Sequence, residues 1–147
     1  MQEWNGRLNN SSRALFYRNV CNFDLQPYLT ICKVKKIRNA FTRLRVASHR
    51  LEIEAGRWNK PNATPVIDRK CKTCNVLEDE FHFILECKLY TVIRKNYINK
   101  YYWNRPNMQK LISLINSQNE NDVRKLALFI YKAFDIRKEH VFAVRNN

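Results

Sequence analysis

At 147 residues the chain is long enough for one compact domain, or for a small core with an appended module. Hydrophobic residues (45%) and aromatics (12%) supply a core, while two glycines and four prolines leave little room for a turn-dense sandwich or flexible linkers. A formal charge of +14, from 27 Lys and Arg against 13 Asp and Glu, predicts attraction to polyanions such as nucleic acid, an anionic membrane or an acidic partner.

No run approaches the roughly 18 apolar residues that a membrane span needs, so no membrane role is expected. The polar N-terminus from Met1 to Asn10 does not read as a signal peptide. Five cysteines, an odd number without a secretory signal, favour metal or free thiols over a disulfide framework. The expected compartment is intracellular, nuclear or cytoplasmic, and the sequons at Asn10 and Asn62 are taken as chance.

In chain order, Trp4 to Asn10 reads as a lead-in, and Ser11 or Ser12 caps a helix over Arg13 to Val20. Pro27 starts a short helical piece around Tyr28 and Leu29. From about Cys32 to Ala47, Val34, Ile37, Phe41 and Leu44 recur at helical steps, with Lys35, Lys36 and Arg43 on the opposite face. Leu51 to Glu54 alternates like an extended segment, and Gly56-Arg57-Trp58 opens a polar loop. Val66 to Asn75 reads as a hairpin around Cys71 and Cys74. Glu78, Asp79 and Glu80 place negative charge where a helix begins, and that helix carries Phe81, Ile84, Leu85, Leu89 and Val92. Tyr97, Tyr101, Tyr102 and Trp103 lie near its end. Pro106 opens a helix with Met108, Leu111, Ile112 and Ile115 inward. Asn119 or Asn121 caps the last, through Val123, Leu126, Phe129, Ile130, Ala133 and Phe134. The fold expected is mainly α-helical, with a small zinc-knuckle β-hairpin leading into a helix. It divides into a basic helical segment (1–58), a knuckle and helix (59–103) and a C-terminal helical segment (104–147), packed as one unit.

One motif carries chemistry. Cys71 and Cys74 form a C-x2-C pair, followed by seven residues to His82 and four more to Cys87. Zinc takes four thiolate or imidazole ligands in a tetrahedron, and two cysteines on a tight turn point into one site. His82 and Cys87 are five residues apart, about 140° around an ideal helix, so the helix must bend, tighten or end near Cys87. Two other readings stay open: buried thiols with a core histidine, and a redox C-x2-C pair, although such pairs usually open a helix. A closed four-ligand zinc site would be structural. Cys21 and Cys32 read as core thiols.

Cys71-x2-Cys74-x7-His82-x4-Cys87 is similar to the zinc-binding segment near the C-terminus of non-LTR retrotransposon reverse transcriptases. The flanks Arg43 to Trp58, Glu78 to Phe83 and Phe129 to Phe134 resemble that family too, and the likeness runs from about Trp4 to Arg137. It implies Zn(2+) on Cys71, Cys74, His82 and Cys87, and a module that helps a polymerase domain grip RNA or DNA. No Asp-Asp pair and no endonuclease constellation occurs, so the chain looks like a detached C-terminal piece, with Met1 not the ancestral start, and no enzyme is expected.

Nucleic acid would be held through its phosphates, with Lys35, Lys36, Arg38, Arg43, Arg45, Arg50, Arg57, Trp58 and Lys72 as the residues for it. Lys33 belongs to the same basic stretch. Lys70, Lys88, Arg94, Lys95 and Lys100 bracket the zinc motif with Lys72. The competing readings are solvated charge with core aromatics, a structural or protein-interaction zinc domain, and a retroelement remnant without activity. His49 and His140 read as surface residues.

Overall fold

The computed structural model of the chain describes residues 2–12, 15–22 and 24–146. It is mainly helical, as expected. The α-helices are α1 (Gln2–Asn10), α2 (Leu15–Val20), α3 (Pro27–Ile31), α4 (Lys35–Arg45), α5 (Glu52–Ala55), α6 (Thr91–Tyr97), α7 (Lys100–Trp103), α8 (Met108–Ile115) and α9 (Glu120–Arg145). Arg13 and Ala14, expected in the first helix, lie outside the described residues. Among the described residues no helix is long and apolar enough to cross a membrane.

Local chemistry sets several boundaries. Asn107 and Asn119 cap α8 and α9, their side chains accepting from Lys110 N–H and Asp122 N–H. Pro27 sits in the first turn of α3, where its missing N–H costs nothing. At the end of α4 the chain turns through Ala47 at φ 52°, with Ser48 N–H donating to Arg43 O (2.8 Å) and Ala47 N–H to Leu44 O (3.2 Å). That is the Schellman pattern, with alanine where glycine is usual.

Four expectations are corrected. Trp4 to Asn10 lies within α1 and is no lead-in. Leu51 to Glu54 is not extended: Leu51 caps α5, and the Glu78 carboxylate accepts from Glu52 N–H at 2.7 Å. The alternation there reflects one helical turn docked on a carboxylate. The knuckle hairpin reduces to one antiparallel bridge, Lys70 with Leu77, without a named strand among the described residues. The helix expected through Phe81 to Val92 is interrupted at Cys87.

The long helix α9 is the spine, packing on α3, α4, α6 and α8. Val123, Leu126, Ala127, Phe129, Ile130 and Ala133 are buried along it, against Phe41, Leu44, Phe83, Tyr90 and Leu111 from the shorter elements. Lys36 lies over Tyr131, the His49 ring stacks near Phe134, and Glu52 reaches Arg137, so α4 and the segment after it dock along α9. Of α8, Leu111, Leu114 and Ile115 are buried, whereas Met108, expected inward, is 40% exposed.

Short helices leave many carbonyls without intrahelical partners. Buried arginines supply donors for them. Arg45 donates to Val20 O (2.9 Å), Ile115 O (3.3 Å) and Asn116 Oδ1 (3.1 Å), tying α4 to the ends of α2 and α8. Arg69 donates to Thr64 O and Ile53 O, both at 2.8 Å. Its stem lies so close to Gly56 that a Cβ there would come within 2.8 Å of Arg69 Cγ. Arg137 grips Glu78 with two bonds, 2.8 Å from Nε and 2.6 Å from Nη2. Glu78 also receives Glu52 N–H, so one buried carboxylate joins α5, the knuckle and α9. Removing one partner of a buried pair strands the other charge. Arg137→Met is therefore expected to cost about 3–5 kcal/mol in denaturant unfolding, with part recovered in the Glu78→Gln/Arg137→Met double variant. A loss below about 1 kcal/mol, typical of an exposed pair, would contradict this role.

Candidate metal centre

The four residues of the cysteine–histidine motif converge. Each offers one ligand atom, and these atoms all lie within 4.8 Å of one another. Two turns bring them together. The first is Cys71-Lys72-Thr73-Cys74, closed by Asn75 N–H donating to Cys71 O (2.9 Å) and Cys71 N–H to Val76 O (2.8 Å). Asn75 takes the left-handed conformation this turn requires, at φ 55°, which asparagine tolerates better than branched residues.

The second is a π-helical turn, His82–Glu86, ending in Cys87 N–H donating to His82 O at 2.7 Å. An ideal α-helix would set His82 and Cys87 about 140° apart. Widening to an i→i+5 bond and stopping at Cys87 removes that mismatch. Asp79 starts the turn, accepting from His82 N–H at 2.8 Å. Phe83 anchors it, buried against Tyr90 (ring centroids 5.0 Å), Phe134 (4.8 Å) and Phe129 (6.2 Å). The neighbouring His82 is thereby fixed toward the cysteines.

The distances fit a tetrahedral ion. Cys87 Sγ lies 3.7 Å from Cys71 Sγ and 3.9 Å from Cys74 Sγ. Zinc–sulfur bonds near 2.3 Å in a tetrahedron give sulfur–sulfur edges of about 3.8 Å. Cys71, His82 and Cys87 are buried and Cys74 is half-buried. Both ring nitrogens of His82 are buried without a hydrogen-bond partner among the described residues. Nδ1 faces Glu86 Oε2 at 3.6 Å, too long for a hydrogen bond. Orphaned buried nitrogens are costly, and a ligand would satisfy one of them. This group can hold a metal ion.

Its electrostatics separate the ligands: Cys71 favours the thiolate, while Cys87 and His82 favour holding their protons. The Cys87 thiol is the largest influence holding Cys71 down to about 3, against burial and helped by His82. Cys87 is pushed up, by Cys71 first and then by burial, so it keeps the proton that Cys71 gives up. At His82 burial is the largest single effect and lowers its pKa, but the Cys71 sulfur and the Glu86 carboxylate together carry it above the ordinary value. Lys88 N–H points at Cys74 Sγ from 3.5 Å. The knuckle is pinned to α9 where Thr73 Oγ1 and His140 Nε2 meet at 3.1 Å.

The basic residues divide. Lys35, Lys36, Arg43, Arg50 and Lys72 are exposed. Arg38 is half-buried, donating to Cys32 O at 3.1 Å, and Arg57 is engaged by Ser12 and by Glu54 (3.1 Å). Trp58 is 63% exposed. Arg45 is corrected: at 3% exposure its guanidinium caps carbonyls and does not face a ligand. Arg94, from the second basic set, is likewise buried. Lys88, Lys95 and Lys100 remain exposed, and Tyr101 lies beneath Lys110.

His49 is also corrected. Its side chain is 1% exposed and paired with Glu80 at 2.8 Å. Because His49 Nδ1 accepts from Leu51 N–H, Nε2 carries the proton toward Glu80. Sequence reading missed the basic face of α9, whose exposed Arg124, Lys125, Lys132 and Lys138 extend the basic surface, with Lys132 over the Tyr97 ring. Their place opposite the buried stripe from Val123 to Ala133 was the available signal. Cys21 and Cys32 stand outside the cluster.

Comparison with protein-family models, curated proteins and solved structures found no match. If the cluster holds a resident ion, a strong chelator lowers the wild-type melting temperature by about 10 °C, while Cys74→Ser and His82→Ala start low and respond to chelator hardly at all. An identical wild-type melt with and without chelator would contradict it.

Proposed function

We propose that the chain is a zinc-stapled helical module that binds nucleic acid through the phosphate backbone and has no catalytic role. The carrying observation is the buried set of three sulfurs and one imidazole, with sulfur spacings of 3.7 and 3.9 Å. Three thiolates and a histidine are a soft donor set that suits zinc over calcium or magnesium. All four positions of a tetrahedron are then filled from the chain, which leaves none for an activated water and makes the ion's work structural. Cys71, Cys74, His82 and Cys87 would hold it; the ion would supply a cross-link between the knuckle turn and the π turn.

The nucleic-acid half rests on charge. Among the described residues Arg45, Arg69, Arg94 and Arg137 are buried, yet the exposed Lys and Arg still outnumber the exposed acids. On α4, Lys36 lies over Tyr131 of α9, and Lys35 and Arg43 are exposed. RNA or DNA fits such a surface, and the likeness to retrotransposon reverse transcriptases favours RNA, with a polymerase domain as a further partner. Proteins that work on nucleic acid inside a cell are nuclear or cytoplasmic.

A protein-interaction role is the second reading, favoured by Val66, Ile67 and Val76, which are 53%, 78% and 48% exposed around the knuckle bridge. Salt separates the two. Fluorescence anisotropy with a mixed-sequence single-stranded RNA is expected to show affinity falling steeply with salt, and the Lys35→Gln/Lys36→Gln/Arg43→Gln variant to flatten the log–log slope by about 2. Absent or salt-independent binding would contradict the reading and leave the protein interface.

A further inference from the structure

Arg94 sits on α6, just past the last ligand, and is 5% exposed. Its Nε donates to Ile84 O and its Nη2 to Cys87 O, both at 2.7 Å. These carbonyls belong to the π turn that carries His82 and to the ligand Cys87 itself. No carboxylate ion-pairs with it among the described residues, in contrast with Arg137 and Glu78. The charged or ionisable groups that act on it are Cys87, Cys74, Glu86 and Tyr90.

A divalent ion with three thiolates carries one net negative charge. On its inner side Phe83, next in sequence to His82, is fully buried edge to face with the fully buried Tyr90. Water cannot screen that charge on the inner side, where attraction between charges is several times stronger than at the surface. Lys72 and Lys88 are exposed and solvated, so they offer little compensation. Arg94 is the buried cation whose neighbours are the ligands.

We propose that Arg94 is the positioning residue of the metal centre, its buried positive charge offsetting the excess negative charge of three thiolates on a divalent ion. The proposal rests on the zinc reading above. It differs from simple carbonyl capping, which Arg45 performs at Val20 and Ile115 with no cluster residue among its hydrogen-bond partners. A guanidinium needed only for its donors is replaced in part by an amide; one needed for its charge is replaced by lysine.

The test is zinc affinity by competition with a chromophoric chelator, for the wild-type chain, Arg94→Gln, Arg94→Lys and Arg45→Gln, with helical content recorded beside it. Wild type is expected to bind one zinc, Arg94→Gln to bind about 10–100-fold more weakly, Arg94→Lys to recover most of that loss, and Arg45→Gln to lose stability without losing zinc affinity. Equal losses in Arg94→Gln and Arg94→Lys, including failure of both to fold with zinc present, would overturn the proposal and leave a carbonyl clamp. Unchanged affinity in Arg94→Gln would overturn it too. A wild-type chain that takes no zinc would overturn the metal reading itself, and this proposal with it.

Discussion

Three sulfurs and an imidazole gathered in a protein interior leave polar groups that a bound ion would satisfy. Cys71 and Cys87 are 4% and 1% exposed, and the His82 ring is buried with neither nitrogen hydrogen-bonded among the described residues. Each unpaired buried nitrogen costs on the order of 1–3 kcal/mol. The turns around the cluster are arranged for closeness: a left-handed asparagine in one, a widened helical turn in the other. Local strain of this kind persists where the surroundings over-determine it, and here Phe83, next to His82, is locked into an aromatic cluster with Tyr90 and Phe129.

From that centre the fold is held outward by polar links with few strands or long helices to help. Glu78 joins the knuckle to α5 and α9, His49 joins the end of α4 to Glu80, and Thr73 meets His140 near the far end of α9. Arg45, Arg69 and Arg94 fasten the carbonyl ends of short elements. Such buried networks are costly when half-made and rigid when complete. A surface richly charged outside and a core laced with arginines are two uses of the same residue type. The first sets attraction to polyanions; the second sets shape.

The sequence disclosed the parts of this scheme that are local. The helical stripes of α4 and α9 appear as three- and four-residue repeats, and Pro27 and Asn119 lie at helix starts because their chemistry acts within a turn. The four-residue metal cluster spans positions 71 to 87, so its spacing was visible, and so was the geometric mismatch that the π turn resolves. Long-range pairing was not visible. Arg137 and Glu78 are 59 residues apart, and His49 and Glu80 are 31 apart. Nothing in a lone arginine tells whether it points out to solvent or in to a carbonyl, which is why Arg45 and Arg94 read as surface charge. Leu51 to Glu54 misled for a related reason: its two-residue alternation is too short to separate a strand from one turn of helix.

X-ray absorption at the zinc edge of the purified chain tests the central claim most directly. The account predicts about one zinc per chain, with three sulfur neighbours near 2.3 Å and one nitrogen near 2.0–2.1 Å. A folded chain without zinc, or zinc surrounded only by nitrogen and oxygen, would contradict it and return Cys71, Cys74 and Cys87 to the status of buried thiols.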